Sequence, residues 1–263
     1  MTVLITVTML DYQDWLDRWE AQQTYYLPHR EERFNFMLDV IEAQIGKDFV
    51  LLDLGCGPGS LSKRIADRFP DAKIYAIDVD PMLLEIAKNT VGKDHETISF
   101  LDVDLRQEDW FDQIDDESVD VVVSTTALHW LPPSNLLRLY QQLADIIRDS
   151  GIFMNGDHIR YAPSQPNLQQ ISEDIKELWE QRGDRMVEGE TWEAWWDAVK
   201  ADFSENNLDE LVEERKKRFH WRDHTEFRSP SYPLQVGALQ DAGFAEVDTI
   251  WQHLHNRILL AIR

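Results

Sequence analysis

The chain has 263 residues, 43% of them apolar and 11% aromatic, enough to bury the core of one large domain or of one domain carrying an insertion. Its formal net charge of −23 opposes binding to the phosphates of a nucleic acid or to an anionic lipid surface. The one cysteine, Cys56, excludes an intramolecular disulfide and fits a reducing cytoplasm.

The opening residues 1–8 are apolar but lack a basic flank and a cleavage site, so they do not read as a signal peptide. No apolar run approaches the length of a membrane-spanning helix. Residues 10–46 read as two helices, and Phe34, Met37, Leu38, Ile41 and Ile45 form one apolar stripe on the second. Tyr25, Tyr26, Pro28, His29 and Arg30 lie between them. Residues 49–54 are a short apolar run that passes directly into Gly55, Gly57 and Gly59. Behind the glycines, Leu61, Ile65, Ala66 and Phe69 recur at helical spacing. Strand, glycine turn and helix together present backbone N–H groups to a ligand at the edge of an open sheet.

Residues 74–78 read as a second strand ending in Asp78, and Asp80 with Pro81 opens a helix bearing Met82, Leu83, Ile86 and Ala87. A third strand covers 98–105, with Asp102 and Asp104 near its end. Residues 106–118 are polar, with Trp110 and Phe111 expected over the core or over a bound ring. A fourth strand runs from Asp120 towards Leu128, His129 and Trp130. The helix begun by Pro132 and Pro133 carries Leu136, Leu139, Leu143 and Ile147, and is expected to stop at 149–151, where a fifth strand leads to Asp157 and His158.

Residues 159 to about 230 keep a helical pattern. Trp192, Trp195, Trp196 and Val199 follow i, i+3, i+4, i+7 spacing, which reads first as core packing and second as an aromatic wall of a pocket. Residues 213–218 read as a solvated charged face. After a helix over 234–242, residues 246–254 and 257–262 form two strands too close for a helical crossover, so they must pair antiparallel.

The glycines are spaced G-x-G-x-G, not the G-x-G-x-x-G that receives a pyrophosphate. Asp53, two residues ahead, would repel a pyrophosphate and suits a cationic ligand. With the acid at Asp78, the pair at Asp102 and Asp104, and the segment 120–130 in this order, the stretch 49–131 resembles the class I S-adenosylmethionine-dependent methyltransferases. The resemblance implies an α/β, Rossmann-like, seven-stranded and mostly parallel sheet with an antiparallel C-terminal hairpin and a helical insert. It divides the chain into an N-terminal helical cover (1–46), a core (47–158 with 231–263) and a substrate-recognition insert (159–230). S-adenosylmethionine would be held by Asp53, Gly55, Gly57, Asp78 (ribose hydroxyls), Asp104 and Leu105 (adenine), Ser124, and Arg30 against the methionine carboxylate.

Methyl transfer from a sulfonium mainly requires that acceptor and methyl be held at attack distance. A base is needed only for an acceptor that arrives protonated. His129 and His158, at the ends of adjacent strands, are the candidates. The triplet Leu128, His129, Trp130 also resembles the trans-aconitate and other carboxyl methyltransferases. A carboxylate acceptor would need a clamp instead, for which Arg160 stands beside His158. Tyr26, Trp130 and Trp196 complete the expected acceptor wall. No metal is expected: Asp157, His158, His220, His224, His253 and His255 show no ligand spacing, and His253 and His255, two apart on a strand, point to one face and read equally as an exposed pair. A small-molecule acceptor, no nucleic acid, no membrane, a monomer or homodimer and a cytoplasmic location are expected. The rivals are a non-catalytic binding module and an enzyme that cyclises or cleaves the same cofactor.

Overall fold

The computed structural model describes residues 10–27, 29–182, 190–224 and 230–263. The opening apolar stretch, Pro28 and the His224 side chain lie outside them. Seven strands, β1 (Val50–Leu54), β2 (Lys73–Asp78), β3 (Ile98–Asp102), β4 (Val119–Thr125), β5 (Ile147–His158), β6 (Glu246–His253) and β7 (Asn256–Ile262), form one sheet in the order β3-β2-β1-β4-β5-β7-β6. The first five are parallel; β7 runs antiparallel to β5, and β6 antiparallel to β7. The antiparallel hairpin expected from the short connection is therefore present. The order reverses between β1 and β4, so the crevice for a ligand opens at their C-terminal ends.

β1 is buried from Leu51 to Leu54, as a strand covered on both faces must be. Alternate residues feed two cores. Leu51, Ile74, Ala76, Val121 and Val123 face one side, where α1 (Tyr12–Tyr26), α2 (Arg30–Gln44), α3 (Ser60–Arg68), α4 (Pro81–Asn89) and the one-turn α5 (Val91–Asp94) pack. Leu52, Leu54, Ile77, Val122 and Phe153 face the other, against α6 (Pro133–Ile146) and α10 (Tyr232–Ala242). Asp80 caps α4 by accepting from Met82 N at 3.1 Å, with Pro81 at the first helical position as anticipated.

The insert consists of α7 (Pro166–Arg182), α8 (Trp192–Glu205), α9 (Asp209–Phe219) and a 3-10 turn, His220–His224. Trp195, Trp196, Val199 and Phe203 of α8 are buried. Trp195 meets Trp15 at 5.7 Å and Trp19 at 5.0 Å between ring centroids, both edge-on, so the insert rests on the N-terminal helix.

Three expectations need correction. α6 stops at Ile146, and β5 begins at once with Ile147 opposite Val119. A register shift follows before Ile152 meets Val121, so pairing across the sheet outcompetes the helical period. Residues 213–218 are more than a solvated face: Arg215 Nε donates to Asp80 at 2.7 Å and Arg218 pairs with Asp102, fastening α9 to the sheet edge. Trp110, by contrast, takes the first of its two expected places: it is buried in the second core, where it donates to Gln142 at 2.9 Å. His253 and His255 do not share a strand face. β6 ends at His253, which stacks on Trp179 and His29, whereas His255 sits in the turn bonded to Ser172 Oγ at 2.7 Å.

Candidate active site

A cavity of about 560 Å³ opens at the C-terminal ends of β1, β2 and β4, within the range usual for small-molecule sites. Its floor is the glycine turn. Gly55 and Gly57 have φ of +73° and +56°, and a Cβ on Gly55 would lie 2.3 Å from that of Ala127, so no side chain fits there. Asp78 holds the turn in place: one carboxylate oxygen accepts from Gly57 N at 2.7 Å, the other from Asp80 N at 2.8 Å. Burial, reinforced by the charge of Asp80, pushes the Asp78 pKa up to about 6.

Of the two acids after β3, Asp104 lines the cavity together with Leu105, and Asp102 turns to Arg218. Burial works against the Asp104 carboxylate, but Arg106, 2.6 Å away, outweighs it and holds the pKa down. Tyr26, Trp130 and Trp196 also line the cavity. The Tyr26 hydroxyl accepts from Trp192 N at 3.1 Å, joining the end of α1 to the start of α8. Arg30 reaches the wall, but its guanidinium is engaged: it donates to Glu20 at 2.6 and 3.1 Å and lies over Phe34. Despite burial, Arg30 and Arg64 draw the Glu20 pKa down to about 2.

Three residues chosen from the sequence stand elsewhere. Asp53 is buried off the cavity wall and accepts from Ser62 Oγ at 2.6 Å. That bond joins β1 to α3, and burial raises the Asp53 pKa to about 7. Ser124 is wholly buried and its hydroxyl donates to Leu54 O at 2.7 Å, tying β4 to β1. Arg160 is exposed and does not line the cavity, because the chain turns away after β5.

Opposite the acids, His129 and His158 both reach the cavity, in different electrostatic states. His129 Nδ1 lies 2.8 Å from Asp157, and its backbone N donates to the same carboxylate at 3.1 Å. Burial lowers the His129 pKa, but the charge and hydrogen bond of Asp157 more than reverse this, and it ends above its ordinary value. Burial likewise opposes the Asp157 charge, yet His129 brings its pKa to about 2. Burial takes the His158 pKa down to about 3, so that ring is neutral, and its Nδ1 has no partner among the described residues.

Two arginines went unnoticed in the sequence. Arg33, fully buried, donates to Thr126 Oγ1 at 2.7 Å and to Asn256 Oδ1 at 2.8 Å behind the dyad. Its signal was a charge directly beside the apolar stripe of α2. Arg222, in the turn after α9, stacks on Trp130 at 4.2 Å, and no sequence signal distinguished it. Among the described residues no group of three or more His, Cys, Asp or Glu is placed to hold a metal ion.

The glycine cradle, the desolvated Asp78 behind it and the apolar Leu83 and Leu105 beside it fit a nucleoside cofactor with a cationic tail. With the terminal hairpin, they define an S-adenosylmethionine-binding α/β protein. Residues 51–151, about two fifths of the chain, match the model of the methyltransferase domain family Methyltransf_25. The chain is 26% identical over 127 residues to malonyl-[acyl-carrier protein] O-methyltransferase of Acetivibrio thermocellus, covering 48% of this chain and 42% of that one. It is 34% identical over 107 residues to trans-aconitate 2-methyltransferase of Rhodococcus jostii, covering 41% and 37%. The matched stretch thus spans about two fifths of each relative's length. Among solved structures, N-methyltransferase NodS from Bradyrhizobium japonicum with S-adenosyl-l-homocysteine superposes with a TM-score of 0.54 at 15% identity, over 95% of this chain and 96% of that one. That likeness is one of fold.

Proposed function

We propose that the protein transfers the methyl group of S-adenosylmethionine to a small acceptor seated between Trp130, His129 and Trp196. The observation that carries this reading is that the glycine and acid cradle and the His129–Asp157 dyad line one cavity. Gly55 and Gly57 let a ligand lie against the backbone, and Asp78 and Asp104 offer acceptors for ribose hydroxyls and an adenine amine. When bound, S-adenosylmethionine supplies an electrophilic methyl on a sulfonium whose charge disappears in the displacement.

The chain's own part is positioning and proton handling. Asp157 occupies His129 Nδ1, so Nε2 is the ring atom left to take a proton from a hydroxyl or ammonium, or to donate one to a carboxylate. His158, uncharged at neutral pH, can offer a hydrogen bond but is too weak a base for the same task. Its role is to shape the acceptor side. The name of one matched relative, trans-aconitate 2-methyltransferase, supports a small acceptor, and the site itself leaves oxygen and nitrogen both open. The N-terminal helices (1–46) and the insert (159–230) act as one cover over the core (47–158 with 231–263), and Trp15, Trp19 and Trp195 join its two parts. The acidity of the chain favours a site free of nucleic acid. No described helix is long and apolar enough to cross a membrane, and a cytoplasmic monomer or homodimer is the proposed state.

Calorimetric titration with S-adenosylhomocysteine tests the reading. Micromolar binding, about −8 kcal/mol, is expected of the wild type, weakened about a hundredfold in Asp78→Ala. Turnover should release S-adenosylhomocysteine; methylthioadenosine would instead reveal cleavage or cyclisation. A folded wild type that binds no S-adenosylhomocysteine would remove the proposal.

A further inference from the structure

This chain carries 49 acidic residues against 26 lysines and arginines, yet four arginines, Arg30, Arg106, Arg215 and Arg222, line the cavity. Three are matched with acids: Arg30 with Glu20, Arg106 with Asp104 and Arg215 with Asp80. Arg222 is not. It makes no ion pair or hydrogen bond among the described residues, and its Nε is buried with no acceptor. Its guanidinium is held flat instead, 4.2 Å over Trp130 and 4.4 Å over Phe219. Aromatic faces steady a guanidinium but leave its in-plane N–H donors unmet.

The nearby acids have other commitments. Asp78 accepts from two backbone amides, and Asp80 from α4 and Arg215. A partly buried guanidinium whose N–H donors meet no acceptor is unfavourable until an anion supplies one. Burial and the charge of Arg215 lower the Arg222 pKa, Asp78 and Asp80 work against them, and at about 10 the group remains charged at neutral pH. Its stacking on Trp130, a residue of the acceptor wall, sets Arg222 at the acceptor end of the cavity, and its charge opposes protonation of His129 while also reaching Asp78 and Asp80.

We propose that Arg222, stacked on Trp130, anchors an anionic group of the acceptor, so that the site selects small organic acids over their neutral counterparts. The proposal rests on the methyltransferase reading for what happens next, but the anchor stands on its own geometry. A carboxylate presents two coplanar oxygens that match the guanidinium fork, and a phosphate does the same. The anchored group and the methylated atom need not coincide.

The probes are benzoate, citrate and inorganic phosphate, with benzamide as the neutral match of benzoate. They are titrated by calorimetry into protein saturated with S-adenosylhomocysteine, while the arginine Nε–H resonances are followed by NMR. At least one anion should bind the wild type with a Kd in the millimolar range or below, about tenfold more weakly in Arg222→Met, with Arg222→Lys between. The Arg222 Nε–H signal, identified by its loss in both variants, should move as the anion saturates. S-adenosylhomocysteine should bind both variants about as tightly as the wild type.

Four results would overturn the anchor. They are no saturable anion, benzamide binding as well as benzoate, an anion affinity unchanged in Arg222→Met, or loss of S-adenosylhomocysteine binding in that variant, which would make Arg222 a cofactor ligand. If the wild type binds no S-adenosylhomocysteine, the methyltransferase reading fails separately. The same titration on the ligand-free protein then still judges Arg222.

Discussion

At Asp157 one carboxylate sets the state of the residue beside it. It raises the His129 pKa above the ordinary histidine value, so kcat/KM should climb with pH through a limb lying above that value if His129 acts as a base. Asp157→Asn removes the charge that raises it. The limb should therefore move to lower pH, with kcat reduced about ten- to a hundredfold, as a pH–rate profile would show. The same pair gives signs for stability. His129, with a raised pKa, contributes below its ordinary value and loses that contribution as pH rises through the folded one. Asp157, with a depressed pKa, contributes above the ordinary aspartate range and loses that contribution as pH falls towards about 2.

Two glycines form a second contrast at this scale. Gly55→Ala places a Cβ 2.3 Å from Ala127 in a left-handed conformation and should cost about 2–4 kcal/mol in chemical denaturation. Gly237→Ala, inside α10 with nothing within 4 Å, should stabilise by about 0.5–1 kcal/mol. Both glycines were visible in the sequence, but only the structure separates a required one from a replaceable one.

At the scale of elements, the insert is fastened by two devices of different kinds. One is the aromatic seam in which Trp195 of α8, fully buried, meets Trp15 and Trp19 of α1. Trp195→Ala should cost about 3–5 kcal/mol, and limited proteolysis should find the insert released before the core unfolds. Unchanged protection of the insert would mean that α8 is held by something else. The other device is the pair of arginines on α9 that meet Asp80 and Asp102. The tryptophan stripe was legible because helical periodicity marks a buried face wherever the partner lies. The inward arginines were not, since a run of mixed charge looks the same whether it faces water or an acid across a cleft.

Over the whole molecule, a charge of −23 acts against compactness. Raising salt from about 10 mM to about 150 mM shortens the screening length from about 30 Å to about 8 Å, and the melting temperature should rise by a few degrees. A fall would mean that local pairs such as Arg215–Asp80 and Arg218–Asp102 outweigh the long-range repulsion. Calorimetric scans at the two salt concentrations decide between them.

The sequence alone determined the order of strands and helices, the glycine turn, the acid at Asp78, the terminal hairpin and the histidines at the sheet edge. These are local patterns or fixed offsets along the chain, and periodicity and backbone conformation speak directly through them. Only the tertiary structure decided which polar side chains face the cavity. Asp53 and Ser124 occupy strand positions that look like ligand positions, but their bonds to Ser62 and Leu54 turn them into the frame. Arg160 follows β5 in sequence and leaves the site in space. Arg222 comes from nearly a hundred positions beyond His129 and arrives beside it because α9 is carried back over β2 and β3. A side chain's partner is chosen by distances across the fold, and those are not written in spacing along the chain.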